Sequence, residues 1–286
     1  MISHGKQFKY KKITIIIPSL NGGGAESTAV NLANMFCKNN YEVKIICIYS
    51  SKNVNHNLSE NINVTFLNQD KIYQSILKIR KILSNLDSSF IISFLTATNI
   101  ALSIAKLFLK KKHFYLLTQH EIPSLNLAKS RYFYLVFLIK VFYPFADAII
   151  CVSKGLESEL KELLPNRKSN KIYTIYNIIE KNCKFKRNRS KPYKLLSVGR
   201  LVKAKDFPTL IKAIYILKNQ LEFKLTIIGN GPEKNNLNNL IRRLGLEEIC
   251  EIKNFQNGMI NNMEIFIFIN QYSKTMKVKK FILMKY

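Results

Sequence analysis

Short runs of apolar, β-branched residues alternate along the chain with longer stretches in which apolar positions recur every three to four residues. The short runs read as strands buried on both faces and the longer stretches as helices laid over them, which is the pattern of a parallel sheet joined by crossover helices. Strands are expected at residues 13–17, 43–49, 64–67, 90–94, 114–118, 148–152 and 172–176. The first ends at Pro18, and a helix is expected to begin near Ala25 with Val30, Leu32, Ala33 and Phe36 on its inner face. The fold class is α/β.

After residue 176 the pattern breaks. Lys181, Lys184, Lys186, Arg187, Arg189 and Lys191 crowd together without an acid, next to Ser190 and Pro192, and read as a linker. The plan then restarts with a strand at 194–198, a turn at Gly199, a helix at 208–218, a strand at 224–228, the turn Gly229-Asn230-Gly231-Pro232 and a helix at 233–244. Two segments that each open with a strand feeding a glycine turn predict paired Rossmann-like lobes, and the cleft between such lobes is the default site. The expected divisions are an N-terminal lobe at 1–177, a basic linker at 178–193, a partial C-terminal lobe at 194–256 and an atypical, out-of-pattern tail at 257–286. From about residue 254 the periodicity degrades into Asn- and Lys-rich text, so the second sheet is expected to hold two or three strands and to remain incomplete.

Composition narrows the partners. A chain of 286 residues that is 47% hydrophobic has apolar material for two cores. Its formal charge is +27, carried by 37 lysines and only 8 arginines, and part of that excess is compositional bias. The remaining field attracts phosphate-bearing partners without choosing among nucleic acid, anionic lipid and nucleotide. Nucleic-acid binding rests on charge alone, since no helix-turn-helix, zinc-finger or RNP-type motif is visible, and it is not expected. The five cysteines are scattered and never spaced as CxxC, which indicates neither a disulfide framework nor a zinc site and fits a reducing cytoplasm. Residues 1–12 lack a signal-peptide pattern. The most apolar stretch, 132–152, is interrupted by Lys140, Pro144 and Asp147, short of the roughly 18 uncharged residues that a membrane span needs.

The segment Gly22-Gly23-Gly24-Ala25-Glu26 follows a strand and opens a helix, where exposed backbone N–H groups and the helix dipole favour an anion or a sugar hydroxyl. It has neither GxGxxG nor GxxxxGK spacing, and a tight turn without a ligand is the alternative. In order, Ile17-Pro18-Ser19-Leu20-Asn21-Gly22-Gly23-Gly24-Ala25-Glu26, Thr118-Gln119-His120-Glu121, Ala146-Asp147 with Cys151-Val152-Ser153, Ile175-Tyr176-Asn177, Ser197-Val198-Gly199-Arg200-Leu201 with Lys205, and Ile228-Gly229-Asn230-Gly231-Pro232-Glu233 resemble the successive signatures of family-4 glycosyltransferases with the GT-B fold. The resemblance runs from about residue 11 to about residue 256.

That resemblance implies transfer of a sugar, with retention, from a nucleotide-sugar to a glycan or lipid-linked acceptor in surface polysaccharide biosynthesis. It implies no cofactor and no metal, because the nucleotide-sugar is a substrate and cations of the chain balance its diphosphate. Arg200 and Lys205, with Gly23 and Gly24, are then the donor diphosphate ligands. Their charge counts most in the transition state, as the leaving group gains negative charge, although two solvated basic residues in a basic chain are the alternative. His120, at the C-terminal end of a strand, is the catalytic candidate beside the reacting sugar, against the reading of a polar loop residue. Gly229 and Gly231 are nucleotide-proximal, or else serve turn geometry alone. Arg131, Lys140 and the aromatics of 132–145 form either a surface pressed on the inner membrane leaflet or an ordinary buried helix.

One feature of the family is missing. No two glutamates lie eight positions apart anywhere in the sequence, whereas the family carries a Glu-x7-Glu pair after its Gly-Asn-Gly-Pro turn. The expectation is a truncated or frameshifted copy, and the alternative function is a catalytically inactive remnant that binds nucleotide or anionic membrane only.

Overall fold

Residues 11–21, 23–50, 58–87, 89–107, 109–110, 113–121, 129–164, 171–177, 191–255 and 267–268 are described by a computed structural model. The chain divides into two compact units, Met1–Ile178 and Ile179–Tyr286.

In the first unit, β1 (Lys12–Ile17) runs between β2 (Glu42–Cys47) and β4 (Phe90–Phe94), and the parallel sheet has the order β3-β2-β1-β4-β5-β6-β7. The other strands are β3 (Asn63–Phe66), β5 (Phe114–Gln119), β6 (Ala148–Cys151) and β7 (Ile172–Thr174). The Ile-rich β1 is buried on both sides, and its side chains divide by parity as the strand period requires. Ile13, Ile15 and Ile17 join Val43, Ile45, Cys47 and Phe94 under α1 (Gly24–Lys38), which contributes Ala29, Val30 and Ala33. Ile16 joins Ile46 and Ile91 on the opposite face, under α2 (Ile76–Asn85) and α3 (Thr96–Ala105).

The apolar stretch 132–152 resolves into three short pieces: most of α4 (Lys129–Phe142), a 3-10 turn at Tyr143–Phe145, and β6. Only one side of α4 is inward. Ile139 is fully buried, as is Tyr143 just beyond the helix, whereas Phe133, Tyr134 and Phe137 are 68%, 66% and 61% exposed, so the ordinary buried helix is not what forms. Among the described residues no helix is long and apolar enough to cross a membrane. After β6, Ser153 caps α5 (Lys154–Leu163) by accepting a hydrogen bond from the Leu156 N–H.

Among the described residues the second unit has four parallel strands, β8 (Tyr193–Val198), β9 (Phe223–Ile228), β10 (Cys250–Lys253) and β11 (Ile267–Phe268), in the order β10-β9-β8-β11. Its helices are α6 (Phe207–Leu217) and α7 (Lys234–Arg243). The expectation of two or three strands is therefore short. β10 was unanticipated because Glu251 and Lys253 interrupt its apolar pattern, and β11 falls in the stretch taken as atypical, where it pairs Ile267 with Leu195 in parallel register. The core gathers Leu201, Phe207, Leu210, Ile211, Ile214, Leu225, Ile227, Leu237 and Ile241. Residues 178–190 of the expected linker, and all of 257–286 except 267–268, lie outside the described residues.

Candidate active site

Every strand of the first sheet is parallel, so the loops leaving β1, β4 and β5 emerge on one edge. Strand order reverses between β1 and β4, and that reversal opens the crevice in which open α/β sheets bind ligands. The glycine turn follows β1, at that reversal, and His120 follows β5, one strand further along the same edge.

Helix α1 starts at Gly24 without a side-chain cap. The Ser27 N–H donates to the Gly23 carbonyl at 2.9 Å and the Thr28 hydroxyl to the Gly24 carbonyl at 2.8 Å. A Cβ on Gly23 would lie 2.4 Å from Glu26 Oε2, whereas one on Gly24 would meet nothing within 4 Å. The Glu26 carboxylate thus folds back over the positive end of its own helix, where negative charge is favoured. An incoming anion has to compete with it. Glu26 belongs to the quoted motif, but sequence reasoning assigned it no role.

His120 sits on a buried polar network that sequence reasoning missed. Its Nε2 lies 3.2 Å from Thr118 Oγ1, and its ring stacks on Phe94 with centroids 5.2 Å apart. The Thr118 hydroxyl donates to the Ser93 carbonyl at 2.8 Å. Beneath them the Ser93 hydroxyl donates to Asn99 Oδ1, and Asn99 Nδ2 donates to both the Thr118 carbonyl and the Tyr143 hydroxyl at 3.0 Å. Tyr143 donates to Gln119 Oε1 at 2.6 Å. Gln119 Nε2 donates to Thr96 Oγ1 at 2.8 Å and to the Glu121 carbonyl at 2.7 Å. Ser93, Asn99, Gln119 and Tyr143 are fully buried, and every one of their side-chain groups in this chain is satisfied. Such a network fixes one geometry, because leaving any member unpaired in a dry interior is costly. The loop from Gln119 to Glu121 is the part it holds.

Burial pushes the His120 imidazole down from 6.5 to about 4, so the ring is neutral at neutral pH. The unfolded chain takes up a proton at this residue below about pH 6.5 while the folded chain refuses it until about pH 4. Stability contributed above pH 6.5 is therefore lost as pH falls toward 4, by roughly 3 kcal/mol at most. Urea midpoints measured from pH 7 to pH 4 should fall less steeply in His120→Gln than in the unaltered chain. Equal slopes would show that the imidazole protonates as freely in the fold as out of it.

In the second unit the glycines hold two loops together. The Gly199 N–H donates to the Ile228 carbonyl at 3.0 Å, the Leu201 N–H to the Asn230 carbonyl at 2.9 Å and the Glu233 N–H to the Leu201 carbonyl at 3.0 Å. A Cβ on Gly229 would lie 1.9 Å from the Gly199 carbonyl oxygen, and one on Gly231 would lie 2.3 Å from that of Leu201. The close approach visible at Gly229 and Gly231 is thus to the chain's own backbone. Leu201 is fully buried and Arg200, beside it, is exposed. Lys205 closes a 3-10 turn at Lys203–Lys205, with its Cδ and Cε 4.0 Å from the position of a Cβ on Gly199. Arg200, Lys205, Gly229 and Gly231 therefore share one corner, at the C-terminal edge of β8 and β9. Two cationic residues on loops zippered by backbone bonds are chemically suited to a diphosphate.

The Arg131 side chain and Cys183 lie outside the described residues, and Lys140 is exposed. Cys47, Cys151 and Cys250 are buried, and burial pushes each thiol up to about 12, which makes them inert packing groups. Among the described residues no three His, Cys, Asp or Glu side chains could together hold a metal ion.

Residues 22–182 match the family described as Glycosyltransferase Family 4, and residues 179–274 match Glycosyl transferases group 1. The second match runs past residue 256, where the resemblance was expected to fade. A Campylobacter jejuni N-acetylgalactosamine-N,N'-diacetylbacillosaminyl-diphospho-undecaprenol 4-alpha-N-acetylgalactosaminyltransferase is 33% identical over 290 positions, covering 92% of this chain and 75% of its own length. A second protein of that organism, GalNAc-alpha-(1->4)-GalNAc-alpha-(1->3)-diNAcBac-PP-undecaprenol alpha-1,4-N-acetyl-D-galactosaminyltransferase, is 30% identical over 250 residues, covering 82% of this chain and 66% of its own length. The solved structure of Anabaena Alr3699/HepE in complex with UDP-glucose matches with a TM-score of 0.65 at 17% identity, over 86% of this chain and 69% of that one. At that identity it bears on fold alone. One family match spanning more than half of the chain, with a relative at 33% identity behind it, places this chain among the family-4, group 1 glycosyltransferases of GT-B fold.

Proposed function

We propose that the chain transfers a sugar, with retention, from a nucleotide-sugar to a glycan or lipid-linked saccharide acceptor in bacterial surface glycan synthesis. The observation that carries this reading is the corner where exposed Arg200 and half-buried Lys205 flank the zippered turns of Gly199–Leu201 and Gly229–Gly231. Two cations on a floor that cannot collapse suit a diphosphate whose charge grows as the glycosidic bond breaks. In this reading Gly229 and Gly231 lie near the nucleotide and His120 beside the reacting sugar. Gly23 and Gly24 supply the uncapped N-terminus of α1 as a second anion-accepting turn.

The names of the two Campylobacter relatives contain undecaprenol-linked saccharides, and HepE was solved with UDP-glucose. A UDP-sugar and a polyprenyl-diphosphate saccharide are accordingly the first donor and acceptor to offer. The exposed Phe133, Tyr134 and Phe137 of α4, in a chain of charge +27, suit peripheral contact with an anionic leaflet on the cytoplasmic side, where such acceptors would be met.

The test is release of UDP from a panel of UDP-sugars, with acceptor presented in vesicles containing about one third anionic lipid. Sugar-extended acceptor with UDP release is the expected result, together with sedimentation of the chain on the vesicles. UDP binding without release on any donor would instead establish the non-catalytic remnant.

A further inference from the structure

Two histidines are described, and they are wired differently. His113 is spent on the fold: its Nδ1 accepts the Ser89 N–H at 3.2 Å, so its Nε2, 3.0 Å from the Leu83 carbonyl, carries the proton and donates. His120 has one nitrogen engaged, Nε2 toward Thr118 Oγ1, and no hydrogen bond to Nδ1 among the described residues.

The direction of the His120 bond follows from its neighbours. The one proton of the Thr118 hydroxyl is committed to the Ser93 carbonyl at 2.8 Å, on the adjacent strand of a sheet whose register fixes Ser93 opposite Leu117. A hydroxyl whose proton is committed can only accept from a third group. The hydrogen between Thr118 and His120 therefore belongs to Nε2. A neutral imidazole carries a single N–H, so Nδ1 is a bare lone pair. The stacked Phe94 ring holds the imidazole plane, and the Asn99–Tyr143–Gln119 network holds the backbone on either side of it.

We propose that Thr118 is a positioning residue that locks His120, at the C-terminal end of β5, in the Nε2–H tautomer and leaves Nδ1 as a hydrogen-bond acceptor. The group it meets has to donate a hydrogen bond, so within the transferase reading it is a hydroxyl or amide N–H of the donor sugar or of the acceptor, and not a phosphate or carbonyl oxygen. The catalytic consequence rests on the transferase reading above, whereas the tautomer itself does not.

Ring-nitrogen NMR of the 15N-His-labelled full chain at pH 7 tests it, with His120→Gln assigning the signals. A protonated Nε2 and unprotonated Nδ1 on His120 are expected in the unaltered chain; the reverse pattern overturns the proposal without any variant. Thr118→Val, close in shape and lacking the acceptor oxygen, should mix the two tautomers, and Thr118→Ser should restore the original one. In the transfer assay Thr118→Val should lower kcat about tenfold, the value of one lost hydrogen bond, with donor KM little changed and recovery in Thr118→Ser. A Thr118→Val chain that keeps the Nε2–H signature, or a serine variant as impaired as the valine, would assign Thr118 to packing alone. The expected NMR pattern in a chain that transfers no sugar would overturn the transferase reading and leave the tautomer standing.

Discussion

Gly229→Ala is expected to cost the second unit about 3 kcal/mol or more, a large fraction of the stability of a small domain. The added carbon would sit 1.9 Å from the Gly199 carbonyl oxygen, and the obstructing atom is backbone, which cannot swing aside as a side-chain tip does. Relief requires the loops after β8 and β9 to part by more than 1 Å, roughly the gap to ordinary van der Waals contact. That movement stretches the bonds from Leu201 to Asn230 and from Glu233 to Leu201, each worth about 1 kcal/mol. Leu201, fully buried in the core of this unit, would be dragged with them. Hydrogen exchange read by mass spectrometry should show faster exchange in peptides covering β8 and β9, with peptides of β1, β4 and β5 unchanged. Gly24→Ala is the matched control, since its Cβ meets nothing within 4 Å, and it should stay within about 0.5 kcal/mol of the starting chain. Equal protection of β8 and β9 in both variants would show that the two loops are not held as tightly as their geometry indicates.

These glycines show what was legible in the sequence and what was not. A strand ending in a glycine turn is a local pattern, and the strands at 90–94 and 114–118 were readable to within a residue because their apolar runs are short and bounded. That Gly229 is required by Gly199 was not readable, since the two lie thirty positions apart in the sequence and only the parallel pairing of β8 with β9 brings them together. The same holds for His120. Its place at the end of a strand follows from the text around it, but the residues that orient it are Ser93, Asn99 and Tyr143, whose polar side chains lie buried because they satisfy one another. No periodicity marks such a cluster. Strand β10 was missed for a related reason: Glu251 finds Thr226 and Lys253 at the sheet surface, so alternate charged positions left too short an apolar run to mark a strand. The aromatics of α4 mislead in the opposite sense, since burial was the default for so apolar a segment and three of them are instead exposed.

Arg200→Ala should leave folding intact and lower kcat/KM for the donor by about 100-fold, in the range found when one preorganised donor to a developing oxyanion is removed. The separation of the two effects comes from position. Arg200 is exposed, while the backbone bonds that hold its loop belong to Gly199, Leu201 and Glu233, and its neighbour Leu201 supplies the buried anchor. Removing the guanidinium therefore takes away charge and a two-pronged donor without opening a cavity or orphaning a buried group. Arg200→Lys keeps the charge and loses the fork, so its loss should be nearer tenfold. Lys205→Met retains the aliphatic stem that rests against Gly199 and deletes only the ammonium, which isolates the second cation from its packing role. Steady-state UDP release, with thermal midpoints alongside, checks the set, and raising salt should shrink the Lys205 effect more than that of Arg200 because a mobile point charge is screened more readily than a bidentate pair. Full turnover in Arg200→Ala with an unchanged midpoint would mean that the cationic corner of the second unit does not hold the diphosphate, and the donor site would have to be sought elsewhere in the chain.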